Sequence, residues 1–189
     1  MSRQGYFLDT SAIAKLYLDE VGSHKMKEIF ENNAFLAYSE LAYVETISAL
    51  RKVKNKGLIN EDELSSIVAS FQNDFFKERN ETDESNMYPI SLSDVVFIAP
   101  EVMLQAHKLK DEIDPSLQYL QSLDALQLSS WVYLIDQEIS ATFVTSDARL
   151  ARIASIYKDS KGLEAEVINL GLCTCEICET LRQADRAAS

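Results

Sequence analysis

Apolar positions fall into short runs separated by longer amphipathic stretches. The run Tyr6 to Leu8 stops at Asp9-Thr10-Ser11, three residues of helix-capping type, and helix formers continue through Leu18, which predicts strand, turn and helix. A helical stretch from about Ser23 to Glu31 leads into Ala34-Phe35-Leu36-Ala37-Tyr38, the length of a buried strand. Ser39 starts a long helical pattern through Lys56, closed by Gly57, and Asn60 followed by Glu61, Asp62 and Glu63 starts another that persists to about Arg79. These two form a helical hairpin over residues 40–80. Polar residues 80–86 break the pattern, and Met87 to Leu92 predicts a short strand that Pro89 confines to a sheet edge. Ser93 to about Ile113 reads as a helix kinked or split at Pro100, and Pro115 punctuates the loop that follows. Ser122 opens a strongly apolar helix to about Glu138, Ala141 to Thr145 is a β-rich run ending at Ser146-Asp147, Ala148 to Ser160 is helical up to Gly162, and Ala165 to Leu170 is a last strand.

Strands that alternate with helices, and that read as continuous apolar runs, predict an α/β protein with a parallel sheet of about five short strands covered on both faces. The chain has 189 residues without an internal repeat or a Pro/Gly-rich linker, which suits one domain. With 47% hydrophobic and 25% charged residues it reads as an ordinary globular protein rather than a disordered or fibrous one. No apolar run reaches membrane-spanning length and the N-terminus lacks the apolar core of a signal peptide, so a cytoplasmic location is expected.

Charge complicates this picture. Eighteen Lys+Arg against 30 Asp+Glu leave a net charge of −12, so no whole-surface basic field draws in nucleic acid. The charge is patterned, however. Residues 59–86 hold eight acids against Lys77 and Arg79, whereas residues 40–57 hold Arg51, Lys52, Lys54 and Lys56 against Glu40 and Glu45.

Four carboxylates stand where they need a reason. Asp9 and Asp147 each follow a predicted parallel strand directly, where α/β sheets form their ligand sites; the plainer reading is that each caps a helix. Asp124 shares a helical stripe with Leu128, Trp131 and Ile135, the face that packs inward, unless it simply complements a helix dipole. Glu45 poses the same problem mid-helix, and its plainer reading is a buried salt bridge with an arginine. Two carboxylates about 5 Å apart repel by roughly 3 kcal/mol at an effective dielectric of about 20. Four converging at one end of the sheet require protonation or a divalent cation, and hard oxygen ligands suit Mg²⁺ or Mn²⁺. Such a site activates water and stabilises charge on a phosphoryl oxygen.

Four stretches, Tyr6-Phe7-Leu8-Asp9-Thr10-Ser11-Ala12, Glu45-Thr46-Ile47-Ser48-Ala49-Leu50-Arg51, Ser122-Leu123-Asp124-Ala125-Leu126-Gln127-Leu128 and Phe143 to Ala151, resemble in order and context the PIN-domain nucleases, in particular the VapC-type toxins of toxin–antitoxin pairs. The resemblance covers residues 5–170. It implies a nuclease domain over 1–170 with a tail at 171–189, a three-layer α/β/α sandwich, and Mg²⁺- or Mn²⁺-dependent hydrolysis of RNA. By the same resemblance Asp9 and Asp124 are the principal metal ligands, Asp147 is a further or water-mediated ligand, and Glu45 completes the site and orients or deprotonates the attacking water. Thr10 and Thr145 are neighbours whose hydroxyls hold the carboxylates; alternatively they are ordinary turn and strand residues. An antitoxin partner and a homodimer are implied as well. The chain departs from the pattern in having Gln127 where many members carry His, in its long acidic segment 59–86 and in its tail.

Arg51, Lys52, Lys54 and Lys56, at the end of the Glu45 helix, are candidate contacts for RNA phosphates, with Arg51 the best contact for RNA or an antitoxin, although bases at a helix C-terminus also complement its dipole. Arg149 and Arg152 admit the same two readings. Cys173, Cys175 and Cys178 fall one ligand short of structural zinc, with a fourth available from another subunit, and free reduced thiols are expected. His107 reads as a packing residue. Two other functions fit less well. A PIN-fold module that binds RNA or protein with residual acids would show no site-specific metal affinity, and an Asp9-nucleophile phosphotransferase of haloacid-dehalogenase type needs an acid at position 11, which is Ser11.

Overall fold

The computed structural model describes residues 5–32, 35–75, 87–175, 178–180 and 183. Five strands, β1 (Gly5–Leu8), β2 (Phe35–Ser39), β3 (Met87–Ile90), β4 (Ala141–Thr145) and β5 (Val167–Asn169), form one sheet in the order β3-β2-β1-β4-β5, and every neighbouring pair is parallel. β3, which carries Pro89, lies at an edge as its sequence requires.

Period-two alternation sends successive side chains to opposite faces. Phe7, Ala37 and Phe143 join one core with helices α5 (Leu92–Val95), α6 (Ala99–Ile113), α7 (Ser122–Asp136) and α8 (Ala148–Lys161). Leu8, Tyr38 and Val144 join the other core with α1 (Thr10–Ala14), α2 (Ser23–Glu31), α3 (Leu41–Asn55) and α4 (Glu61–Phe75). The result is a three-layer α/β/α sandwich. Trp131 fixes the first core: it is fully buried, its ring packs on Phe143, and its Nε1–H donates to the Ala141 carbonyl at 2.7 Å. In the second core the rings of Phe71 and Phe75, from α4, pack on Tyr43 and Tyr38.

Several boundaries follow from local chemistry. Asn60 opens α4 with a reciprocal capping box, in which its backbone N–H donates to the Glu63 carboxylate and its side chain accepts the Glu63 N–H. The helix expected to run through Leu18 ends at Ala14; Lys15, buried, pairs with Glu20 at 3.2 Å, and Ser23 donates to the Leu18 carbonyl, holding residues 15–22 as turns. The stretch 93–113 is split before Pro100, which occupies the first turn of α6, where its missing N–H costs nothing. The expected end of α4 near Arg79 and the polar segment 80–86 lie outside the described residues.

Candidate active site

Strand order reverses direction at β1: β2 and β3 lie on one side of it, β4 and β5 on the other. Such a switch point opens a crevice beyond the carboxyl ends of the strands. Leu8 pairs in register with Val144, so Asp9 and Thr145 emerge side by side at that crevice.

Asp9 is 5% exposed, and all its hydrogen bonds fall on one oxygen. Oδ2 accepts from Ser11 Oγ at 2.6 Å, Ser11 N–H at 3.2 Å and Thr145 Oγ1 at 2.8 Å, leaving Oδ1 without a donor among the described residues. Burial pushes its pKa up from 3.8 to about 6; the bonds from Ser11 and Thr145 pull against that, and the charge of Glu45 adds to it. Asp9 also caps α1, so the structural and the chemical readings coincide.

Glu45, half-buried on α3, follows the same design. Its Oε2 accepts from Thr10 Oγ1 at 2.7 Å and from Gln127 Nε2 at 2.7 Å, and Gln127 Nε2 also reaches Thr10 Oγ1 at 2.8 Å. Among the described residues no arginine pairs with Glu45, contrary to the plainer reading of it; the arginine in the crevice belongs to Asp124. Arg149 donates to Asp124 Oδ2 and to the Tyr119 carbonyl, and stands 3.5 Å from Asp147 Oδ2. Asp147 caps α8, its Oδ1 accepting the Leu150 N–H at 2.9 Å, and its own N–H donates to Thr145 Oγ1 at 3.1 Å.

Four acids from four separate segments are thus linked at this end of the sheet: Asp9 to Asp147 through Thr145, Asp147 to Asp124 through Arg149, and Glu45 to Thr10 and Gln127, which stand beside Asp9 and one turn beyond Asp124 in the chain. No three of them bring an oxygen each within 4.8 Å of one another among the described residues. Two members of this network went unassigned in the sequence. Ser11 joins the two halves of the crevice, since its Oγ binds Asp9 and accepts the Ser146 N–H at 2.8 Å. Gln127, 1% exposed, links α7 to Glu45, and its Oε1 is buried without a partner among the described residues. The signals were the Asp-x-Ser spacing and the position of Gln127 one turn beyond Asp124.

The sequence profile of the PIN domain family matches residues 6–156, which include all four acids. The chain belongs to the PIN domain family. Among solved structures it is similar to the crystal structure of PAE2754 from Pyrobaculum aerophilum, at 16% identity and a TM-score of 0.49, over 98% of this chain and 91% of that one. No relative was found among curated proteins. Family membership supports a nuclease-type function for this PIN domain, of a kind that typically uses divalent metal ions.

The residues fit such an ion. The acids offer hard oxygen donors, and among the described residues Asp9 and Glu45 each keep one oxygen clear of the bonds that position the carboxylate. Arg149 holds Asp124 Oδ2 and stands beside Asp147 Oδ2, so an entering ion competes with it for those two acids.

Of the basic residues expected to meet a ligand, Arg51 and Lys52 are exposed and make no ion pair with a described residue, whereas Lys54 pairs with Glu61 at 2.8 Å and Arg152 lies 3.7 Å from Asp114. Lys52 follows Glu45 by seven residues, which returns it to nearly the same stripe of α3 about 10 Å along the axis. Arg51 lies off that stripe. His107 is a packing residue, set edge-on to the Tyr119 ring. No helix among the described residues is long and apolar enough to cross a membrane.

Proposed function

We propose that this PIN domain is a metal-dependent endoribonuclease, hydrolysing RNA phosphodiesters with Mg²⁺ or Mn²⁺, and that it is a VapC-like toxin neutralised by a small antitoxin protein. The observation that carries the nuclease reading is the gathering of Asp9, Glu45, Asp124 and Asp147 at the sheet's switch point, with the first two held through one oxygen each. Asp9 and Asp124 would hold the ion, with Asp147 as a further or water-mediated ligand. When bound, a divalent cation lowers the pKa of water and offsets charge on the phosphoryl oxygens.

The chain's own groups do the rest. Ser11 and Thr145 fix the Asp9 carboxylate. Thr10 and Gln127 fix Glu45, whose Oε1 is the atom to orient the attacking water and accept its proton. Lys52, on the stripe of Glu45, is placed to neutralise a phosphate of the substrate strand, which supports RNA as the ligand despite the net negative charge. The toxin assignment rests on the resemblance of the four motif stretches. A homodimer belongs to the same reading, and the apolar side chains of Val96 and Phe97, 48% and 87% exposed, are consistent with a paired state.

Cleavage of single-stranded RNA in Mn²⁺ tests the proposal. Asp9→Asn and Asp124→Asn should each abolish it with the circular dichroism spectrum intact, and activity retained in both overturns the site. Calorimetric titration with Mn²⁺ separates a nuclease from a binding module, because only the former has a site-specific affinity that disappears with Asp124. Co-expression with the product of the adjacent reading frame tests the antitoxin.

A further inference from the structure

Beyond β5 the chain makes a 3₁₀ turn (Leu170–Leu172) that packs against α2, and it then carries the three cysteines. Their sulfurs all lie within 4.8 Å of one another, and the Sγ atoms of Cys173 and Cys175 are 3.4 Å apart. A tetrahedral centre with metal–sulfur bonds of about 2.3 Å has sulfur–sulfur edges of about 3.8 Å, inside that range.

Cys178 gives the cluster its specificity. It is fully buried, and its Sγ accepts the backbone N–H of Gly22, 156 residues away in sequence, at 3.2 Å. An N–H aimed at sulfur favours the anionic form. The donor is itself built in: Gly22 has φ +94°, and a Cβ there would stand 2.6 Å from the Leu170 carbonyl oxygen. Burial works against the anionic form and pushes the Cys178 thiol up to about 11. Cys173 and Cys175 are only half-buried, which leaves the cluster open to solvent on one side.

We propose that Cys173, Cys175 and Cys178 form a thiolate site for a thiophilic cation, with Zn²⁺ as the ion and water in the fourth position, that staples the segment after β5 to the start of α2. Sulfur donors separate this site chemically from the oxygen-lined crevice.

The test uses the full chain, reduced and stripped with chelator, titrated first with Co²⁺ and then with Zn²⁺. One equivalent of Co²⁺ should raise a sulfur-to-cobalt charge-transfer band in the near ultraviolet, and one equivalent of Zn²⁺ should erase it. Cys173→Ser, at a half-buried position that does not endanger folding, should reduce the band and weaken Zn²⁺ binding at least tenfold. Asp124→Asn should leave the band unchanged, because Co²⁺ on the carboxylates gives no thiolate transition. The proposal is overturned if no band develops at one equivalent, if Cys173→Ser keeps it at full strength, or if the chain purified under reductant still holds a Cys173–Cys175 disulfide.

Discussion

Replacing Asp9 by asparagine should make the protein more stable at neutral pH in the absence of divalent ions, even though it removes a proposed metal ligand. The folded state raises the Asp9 pKa from 3.8 to about 6, chiefly through burial. A raised carboxyl pKa means that the fold favours the protonated form, so this stabilisation is present at low pH and is lost as pH rises through about 6. Each tenfold change in an ionisation constant is about 1.36 kcal/mol, and holding Asp9 ionised at pH 7 to 8 therefore costs about 3 kcal/mol, against about 0.5 kcal/mol at pH 4. An asparagine side chain does not titrate and keeps an oxygen to accept from Ser11 and Thr145. The stability of Asp9→Asn relative to wild type should thus grow by about 2.5 kcal/mol between pH 4 and pH 7. Urea denaturation of both proteins in EDTA across that range measures it, and titrating groups not coupled to Asp9 cancel in the difference. Saturating Mn²⁺ should reverse the order, since ligand at 1,000 times its Kd adds about 4.1 kcal/mol to wild type alone. A difference that does not vary with pH, or one that shrinks on going from pH 4 to pH 7, would refute the account of Asp9 as a buried, undercompensated charge.

Other outcomes follow from the same contacts. Thr145→Val removes a donor to Asp9 and the acceptor of the Asp147 N–H; it should cost about 1–3 kcal/mol in urea denaturation and move the Asp9 transition to higher pH. Arg149→Met frees Asp124 from a competing cation and should tighten Mn²⁺ binding about tenfold by calorimetry, the scale of one hydrogen bond to a charged group; unchanged or weaker binding contradicts the placement. Gly22→Ala forces a left-handed backbone and a contact on the Leu170 carbonyl. It should cost about 1–3 kcal/mol and lower the melting temperature by about 2–4 °C per kcal/mol.

The strands were legible because Tyr6 to Leu8 and Ala141 to Thr145 are apolar runs closed by polar caps, and period alone marks such runs. Asp9 and Asp147 were legible as strand-end acids for the same reason. What periodicity does not carry is register. That Leu8 pairs with Val144, and hence that Thr145 donates to Asp9 across 136 residues, is a property of the assembled sheet. A serine two residues after an aspartate reads as a capping residue and nothing more, and the further bond of Ser11, from the Ser146 N–H, comes from a distant turn. No arginine meets Glu45 among the described residues; Arg149 pairs with Asp124, because the first turns of α7 and α8 carry these two residues to the same end of the sheet. Gln127 was set aside as a departure from the family pattern, yet its amide is the donor that a neighbouring carboxylate and hydroxyl require.

The central position of β1 also orders events in time. Asp9 and Glu45 are synthesised early, but the strand that completes the crevice, β4, ends at Thr145. At about 5–20 residues per second, roughly 5–20 s separate translation of Glu45 from that of Asp147. Throughout that interval β1 is an edge strand with its ladder open on one side, a surface that invites pairing with other chains. A chain that stops before Ala141 would carry three of the four acids, Asp9, Glu45 and Asp124, on a sheet that exposes its middle. The proposed hydrolytic site is therefore complete only once β4 has been made, and it is completed together with the strand that covers the open edge of β1.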